Sequence, residues 1–189
     1  MSLRRHVSWR QGLLALTVAV VTTLAAIQAL SDDPEIALMI GEPWEDMRQR
    51  SSAAIDPAIP GQFWGRLPRS DARLRFLDPQ YGFVTPLARF FTVSFNSDEL
   101  VTSVRMSPQV EPLLLDDTLE VVLGLQEQWR QGGWMPIRIQ DFPSFADTPQ
   151  WRARLRDVNK GGKAYWRASD SYQVMLVVNR FKDIKRPTE

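Results

Sequence analysis

The spacing of apolar and polar residues changes character several times along the chain. From Gly12 to Leu30 (GLLALTVAVVTTLAAIQAL) there is no charge, and within Leu13 to Ile27 only Thr17, Thr22 and Thr23 interrupt the apolar run. A helix of about 19 residues rises roughly 28 Å, close to the hydrocarbon thickness of a bilayer. Arg4, Arg5 and Arg10 precede this run, and Asp32, Asp33 and Glu35 follow it. A basic flank before and an acidic flank after predict an N-in, C-out orientation. Two readings fit the run: an uncleaved transmembrane anchor, or a signal peptide cut near Ala29, where Ile27-Gln28-Ala29 ends on a small residue.

Beyond the run, helical periodicity alternates with period-two segments. Ser31 to Glu35 offers a cap, a first-turn proline (Pro34) and acids, and Ile36, Met39 and Ile40 give it an apolar face, so a helix is expected there. Gly41-Glu42-Pro43 interrupts it, and Pro43 opens a second short helix through Trp44, Met47 and Arg48. Residues 51–88 are punctuated by Pro57, Pro60, Gly61, Gly65, Pro68, Pro79, Gly82 and Pro86, with brief strands expected at Phe63-Trp64 and Leu74 to Leu77. Phe91, Val93 and Phe95 alternate with Thr92 and Ser94. After the turn Asn96 to Glu99 the chain returns through Val101, Val104 and Met106, which predicts a β-hairpin.

Asp116 to Gln131 carries an apolar stripe of Leu119, Val121, Val122, Leu125 and Trp129, with Asp116 or Asp117 as cap, Glu120 in a capping box and Gly132-Gly133 as the stop. Asp147 to Val158 predicts a further helix, capped by Asp147 or Thr148, with Trp151, Leu155 and Val158 on one face. Lys160-Gly161-Gly162-Lys163 reads as a turn. Tyr165 to Ala168 and Tyr172 to Phe181 then form a hairpin around Ser169-Asp170-Ser171. The second of these strands is apolar on both faces, so it is expected to be central. Lys182 to Glu189 looks like a polar turn leading to one more strand, so either the chain is shortened or that edge pairs with something else.

These elements predict an α+β fold: helices packed on antiparallel sheet in two helix-then-hairpin layers, plus an N-terminal transmembrane helix. The divisions are a cytoplasmic basic flank (1–11), the anchor or signal peptide (12–30), a first layer (31–112) and a second (113–189), the last two forming one compact domain. Composition sharpens this picture through charge. The 189 residues carry a net charge of +1, but without residues 1–30 there are 20 basic against 22 acidic side chains. A slightly acidic domain is a poor partner for nucleic acid, which rewards clustered cations. The absence of cysteine removes disulfides, thiolate metal sites and Cys nucleophiles. The single histidine, His6, precedes the hydrophobic run, so Ser-His-Asp chemistry and His-ligated metal are unavailable to the domain.

Carboxylate-pair chemistry is the enzymatic possibility left, in Glu42, Glu45 and Asp46 or in Asp116, Asp117 and Glu120. Both groups sit at expected helix starts, where acids serve the helix dipole. No catalytic, cofactor-binding or metal-binding residue is assigned. Trp64 and Trp134, in Gly/Pro-rich loops, and Phe142 and Phe145, in the Phe-Pro-Ser-Phe segment, are the candidate partner-binding anchors.

Ile40 to Met47, Phe91 to Asn96 and Leu100 to Val104 resemble the small envelope-assembly lipoproteins of the SmpA/BamE type, in which a Gly-containing helix start precedes an aromatic hairpin. The chain lacks that family's lipidated cysteine, inserts a longer segment between helix and hairpin, and carries a second half. In overall design it is also similar to periplasmic immunity proteins that neutralise secreted antibacterial effectors. The expected function is therefore a membrane-anchored periplasmic protein-binding module of immunity type, its partner a secreted toxin or envelope protein. The alternatives are an envelope-assembly or peptidoglycan-associated accessory protein, and a carboxylate-dependent glycan enzyme.

Overall fold

A computed structural model describes residues 33–180. From Pro34 on they belong to one compact unit. The expected anchor or signal peptide at 12–30, its basic flank and the segment after Arg180 lie outside the described residues, and no described helix is long and apolar enough to cross a membrane.

The described chain is α+β, built on three small three-stranded sheets. The first is mixed: β1 (Glu35–Leu38) pairs parallel with β3 (Arg73–Phe76), which pairs antiparallel with β4 (Phe83–Val84). The second sheet is antiparallel and joins β2 (Trp64–Arg66), β5 (Phe91–Phe95) and β6 (Val101–Met106) in that order. The third is antiparallel and joins β7 (Met135–Ile137), β8 (Gly161–Ala168) and β9 (Tyr172–Asn179). Three helices accompany them among the described residues: α1 (Trp44–Arg50), α2 (Leu115–Gln131) and α3 (Pro149–Arg156).

The helix expected over Ser31 to Ile40 is instead the strand β1. Ile36, Ala37 and Leu38 are buried in succession, a pattern for a strand covered on both faces rather than for a helix stripe. A partner 38 residues away settles the matter, because Glu35 pairs in register with Arg73 and its carboxylate meets the Arg73 guanidinium at 3.0 Å. Short-range signals favour a helix here, and the non-local ladder overrides them. The plan of two helix-then-hairpin layers is corrected accordingly: the first part runs strand, helix, then five strands, of which β3 and β4 join β1 and the other three form the second sheet.

The outer edge of β1 is closed by side chains from both ends of α1 and the residues flanking it. The Ser52 and Ser51 hydroxyls accept from the N–H groups of Glu35 and Ala37 at 2.9 and 3.0 Å, and the Glu42 carboxylate accepts from Met39 N–H at 2.7 Å. The Glu35 carbonyl accepts from Ala53 N–H, and the Ala37 carbonyl from the Arg50 guanidinium.

The helix α2 begins at Leu115, one residue before the expected start. Its cap position is Leu114, and no side chain caps it, so the expected Asp117/Glu120 capping box is absent. Asp116 and Asp117 lie in the first turn, where they favour the positive helix end, and Asp116 also pairs with Arg152 at 2.5 Å. The stop is a Schellman motif. Gly133, at φ 84°, donates to the Arg130 carbonyl while Trp134 N–H reaches back to the Trp129 carbonyl, and the Trp129 and Trp134 rings pack with centroids 6.3 Å apart.

Trp129 and Trp134 belong to an aromatic cluster, with Phe76, Phe83, Trp166 and Tyr172, that joins α2 to the first and third sheets. Thr148 caps α3 by accepting from Trp151 N–H, and Val158, expected on the helix face, is exposed beyond its end. Gly161 to Lys163, expected as a turn, open β8. Gly162 has no space for a side chain, because a Cβ there would stand 2.4 Å from Phe145 Cε1 and 2.7 Å from Trp151 Cζ3. The strand expected to be central, β9, is an edge among the described residues. The central strand is β8.

Candidate functional site

Strand β8 alternates strictly. Gly162, Ala164, Trp166 and Ala168 face the core, while Lys163, Tyr165 and Arg167 face outward. Opposite residues in an antiparallel ladder share a face. The register therefore sets Met135 beside Arg167 and Ile137 beside Tyr165 on one flank, and Met175 beside Tyr165 and Val177 beside Lys163 on the other. The outward face of this sheet is thus apolar at its centre. Met135 is 58% exposed and Met175 55%, and no described helix lies over them. Exposed apolar residues gathered on one face, with charge at the margin, mark interaction surfaces.

The margin is built by the loop after β7. Arg138 takes φ 55°, a left-handed conformation that costs a non-glycine residue about 1–3 kcal/mol. Its carbonyl accepts from Asp141 and Phe142 N–H, closing a tight corner. That corner brings the Arg138 guanidinium 4.6 Å from the centre of the Phe142 ring and 5.3 Å from that of Tyr165. The two rings meet edge to face at 5.1 Å. The result is a cation held over two aromatic rings at the rim of an apolar face, with Lys163 and Arg167 beside it. Asp170, in the β8–β9 turn, lies 3.8 Å from Arg167.

The loop is held from beneath by Gln126, which is 0% exposed on α2. Its amide donates to the Phe145 carbonyl and accepts from the Phe145 N–H, both at 3.0 Å, satisfying that residue as a neighbouring strand would. Phe145 is 2% exposed and packs on Trp151 at 4.7 Å. Next to it a cleft of about 390 Å³ opens between Phe142, Trp151, Arg154, Lys160 and Lys163. Two of its cations are already engaged: Arg154 donates to the Gly161 carbonyl and Lys160 pairs with Asp157 at 3.1 Å. Hydrogen bonding from Asn159 N–H, then Lys160, holds the Asp157 carboxyl below its ordinary range.

The four anchors expected from sequence separate. Phe142 is half-buried at the rim just described. Trp64 is 59% exposed but lies on β2, in the second sheet, and no aromatic contact links it to Phe142. Trp134 is corrected: it is 4% exposed, its ring enclosed by the core cluster and its indole N–H donating to the Tyr81 carbonyl at 2.9 Å. Phe145 is corrected likewise, since the Gln126 clamp and Trp151 bury it. The residues that sequence reasoning missed are Arg138, Tyr165, Met135 and Met175. Their signal lies in the period-two alternation of β8 and in the two-faced apolar character of β9, which fits burial and exposed contact equally.

Several acidic groups are engaged in structural pairs. Glu42 accepts from Met39 N–H and meets Arg50 at 2.5 Å. Glu45 accepts from Arg48 and then Gln49, which holds its carboxyl down at about 2. Asp147 is lowered by Arg152, Asp56 by Arg69, and Asp78 chiefly by Tyr81 N–H. Every described carboxylate whose pKa departs from its ordinary value thus moves downward, opposite to what a general acid requires. Among the described residues no acidic cluster is arranged to hold a metal ion. Comparison of the chain with protein-family models, with curated proteins and with solved structures found no match.

Proposed function

We propose that this chain is a protein-binding module that presents the outward face of β7–β8–β9 to a partner in the periplasm, tethered through residues 12–30. One observation carries the reading. A sheet face with an apolar centre (Met135, Ile137, Tyr165, Met175, Val177) stays uncovered, and Arg138, held in a costly backbone conformation, stands over Phe142 and Tyr165 at its rim. Rigid aromatics beside arginine are the side chains that dominate binding energy at protein interfaces. Arg138, Lys163 and Arg167 select for a partner segment carrying acidic groups around an apolar patch.

The test is site-specific photo-crosslinking of the full-length chain in intact cells. A photoreactive side chain at Met135 or Tyr165 is expected to capture one protein of constant mass other than a second copy of the chain. The same group at Ser97, in the β5–β6 turn, is expected to capture none. Equal capture at all positions, or none on the sheet face, refutes the reading. Location is checked separately, since a reporter joined after Glu189 that is active only in the cytosol rules out the periplasm.

A further inference from the structure

The sheet edges of this protein are not treated alike. The outer edge of β1 is closed by Ser51, Ser52, Glu42 and Arg50. The two-residue strand β4 has its Val84 N–H bonded to Gln128 of α2. Strands β2 and β7 have three residues each, and β7 contains Pro136. Strand β6 carries Arg105, and its first residue, Val101, is bonded to Gly41 and Glu42. Short strands, prolines, charges and side-chain covers are the usual means of keeping an edge from pairing with another chain.

Strand β9 has none of them. It runs eight residues (YQVMLVVN) with no charge and no proline, and no described strand lies on its outer side. Its core-facing row is incomplete too. Tyr172, Val174 and Val178 are half-buried, whereas the matching row of β8 is wholly buried.

We propose that β9 pairs antiparallel with β9 of a second copy of this chain, making a continuous six-stranded sheet in a closed two-fold dimer. The occupant follows from the strand's own sequence. Side chains must stay on matching faces, so an antiparallel two-fold can centre on Met175 but not between Met175 and Leu176. Centred on Met175, the register sets Val174 against Leu176 and Tyr172 against Val178 on the core side, completing the half-covered row. On the outer side Gln173 meets Val177, and the two Met175 residues meet each other.

Charge complements this register at both ends. Asp170, fully exposed in the β8–β9 turn, falls near Arg180 of the other copy, twice by symmetry, while the Arg180 guanidinium also donates to the Arg156 carbonyl of its own chain. The like charges nearest the seam, Lys163 and Arg167, lie one strand back on each side. Three strand spacings, about 14 Å, therefore separate the copies' cations, more than a Debye length of about 8 Å. A two-fold uses up both β9 edges, and Pro136 guards the other end of each sheet, so the assembly stops at two. The dimer does not depend on the protein-binding reading, and it would double the face that reading invokes.

The chain contains no cysteine, so single introduced thiols report the seam directly. Full-length chain carrying Met175→Cys, oxidised in native membranes, is expected to run as a disulfide-linked dimer on a non-reducing gel. Ser97→Cys is expected to stay at least tenfold less crosslinked. In detergent, light scattering is expected to give twice the 21.7 kDa chain mass for the unmodified protein. Met175→Lys, at an outward position with two like charges brought face to face, is expected to give the single-chain mass with an unchanged circular dichroism spectrum. A single-chain mass for the unmodified protein overturns the proposal. So does a dimer that survives Met175→Lys, or crosslinking equal at Met175 and Ser97.

Discussion

Replacing Gln126 with leucine removes the clamp on Phe145 while keeping side-chain size. Both groups Gln126 serves belong to one buried residue, the Phe145 N–H and carbonyl, each bonded at 3.0 Å. A buried main-chain group left without a partner costs about 1–3 kcal/mol, so two cost about 2–6 kcal/mol. Leucine recovers roughly 1 kcal/mol by burying apolar surface in place of an amide. Relaxation of the loop toward water brings the expected loss to about 3 kcal/mol. For a unit of this size that lowers Tm by about 6–12 °C. The assay is thermal unfolding followed by tryptophan fluorescence, with urea titration to confirm an unchanged m value.

Gln126→Glu supplies an internal check on sign. Burial and the facing Phe145 carbonyl both favour the protonated acid, so the folded-state pKa rises above the unfolded value of about 4.3. The variant is therefore expected to approach the parent protein below about pH 4 and to lose stability as pH rises through the folded-state pKa. A leucine variant within about 0.5 kcal/mol of the parent, or a glutamate variant with no such pH dependence, refutes the clamp.

Arg138→Gly relieves the left-handed backbone and removes the cation over Phe142 and Tyr165. Partner capture at Tyr165 is expected to fall several-fold while Tm shifts by less than about 3 °C, because the opposing effects are each about 1 kcal/mol. Gly162→Ala forces a methyl against the Phe145 and Trp151 rings and is expected to cost about 1–3 kcal/mol in urea unfolding. The Glu45 carboxyl, held by Arg48 and Gln49, is expected to titrate near pH 2 by NMR. Its contribution is present above the ordinary value of 4.5 and lost as pH falls toward about 2. High salt is expected to raise that midpoint by screening Arg48.

Local periodicity served well where a segment's neighbours are close in sequence. The hairpin through Phe95 and Val101, the stripe on α2 with its Gly133 stop, and the Thr148 cap were legible because turn, cap and period lie within a few residues of one another. Strand β1 was not, because its identity is decided by Arg73 to Phe76. Nor was β7, whose three residues carry a proline and pair only with β8. On the candidate face, the character of its loop points to Phe142, which lies at the rim. Trp134 was misplaced because a Gly-Gly sequence reads equally as an exposed loop and as a helix stop that turns the next ring inward. Strand β9 shows a further ambiguity. Apolar residues on both faces can mean a strand covered on both sides, or one whose outward row is kept for contact.

The parallel pairing of β1 with β3 bears on the order in which the chain can fold. Closing a loop of 38 residues carries an entropic cost that neither hairpin faces, since the strands of β5–β6 and β8–β9 are joined by short turns. Strand β1, made early in synthesis, is therefore zipped into the sheet late. Until Phe76 has been synthesised, Ile36 and Leu38 have no complete ladder to join, and both are apolar side chains that the finished fold buries fully.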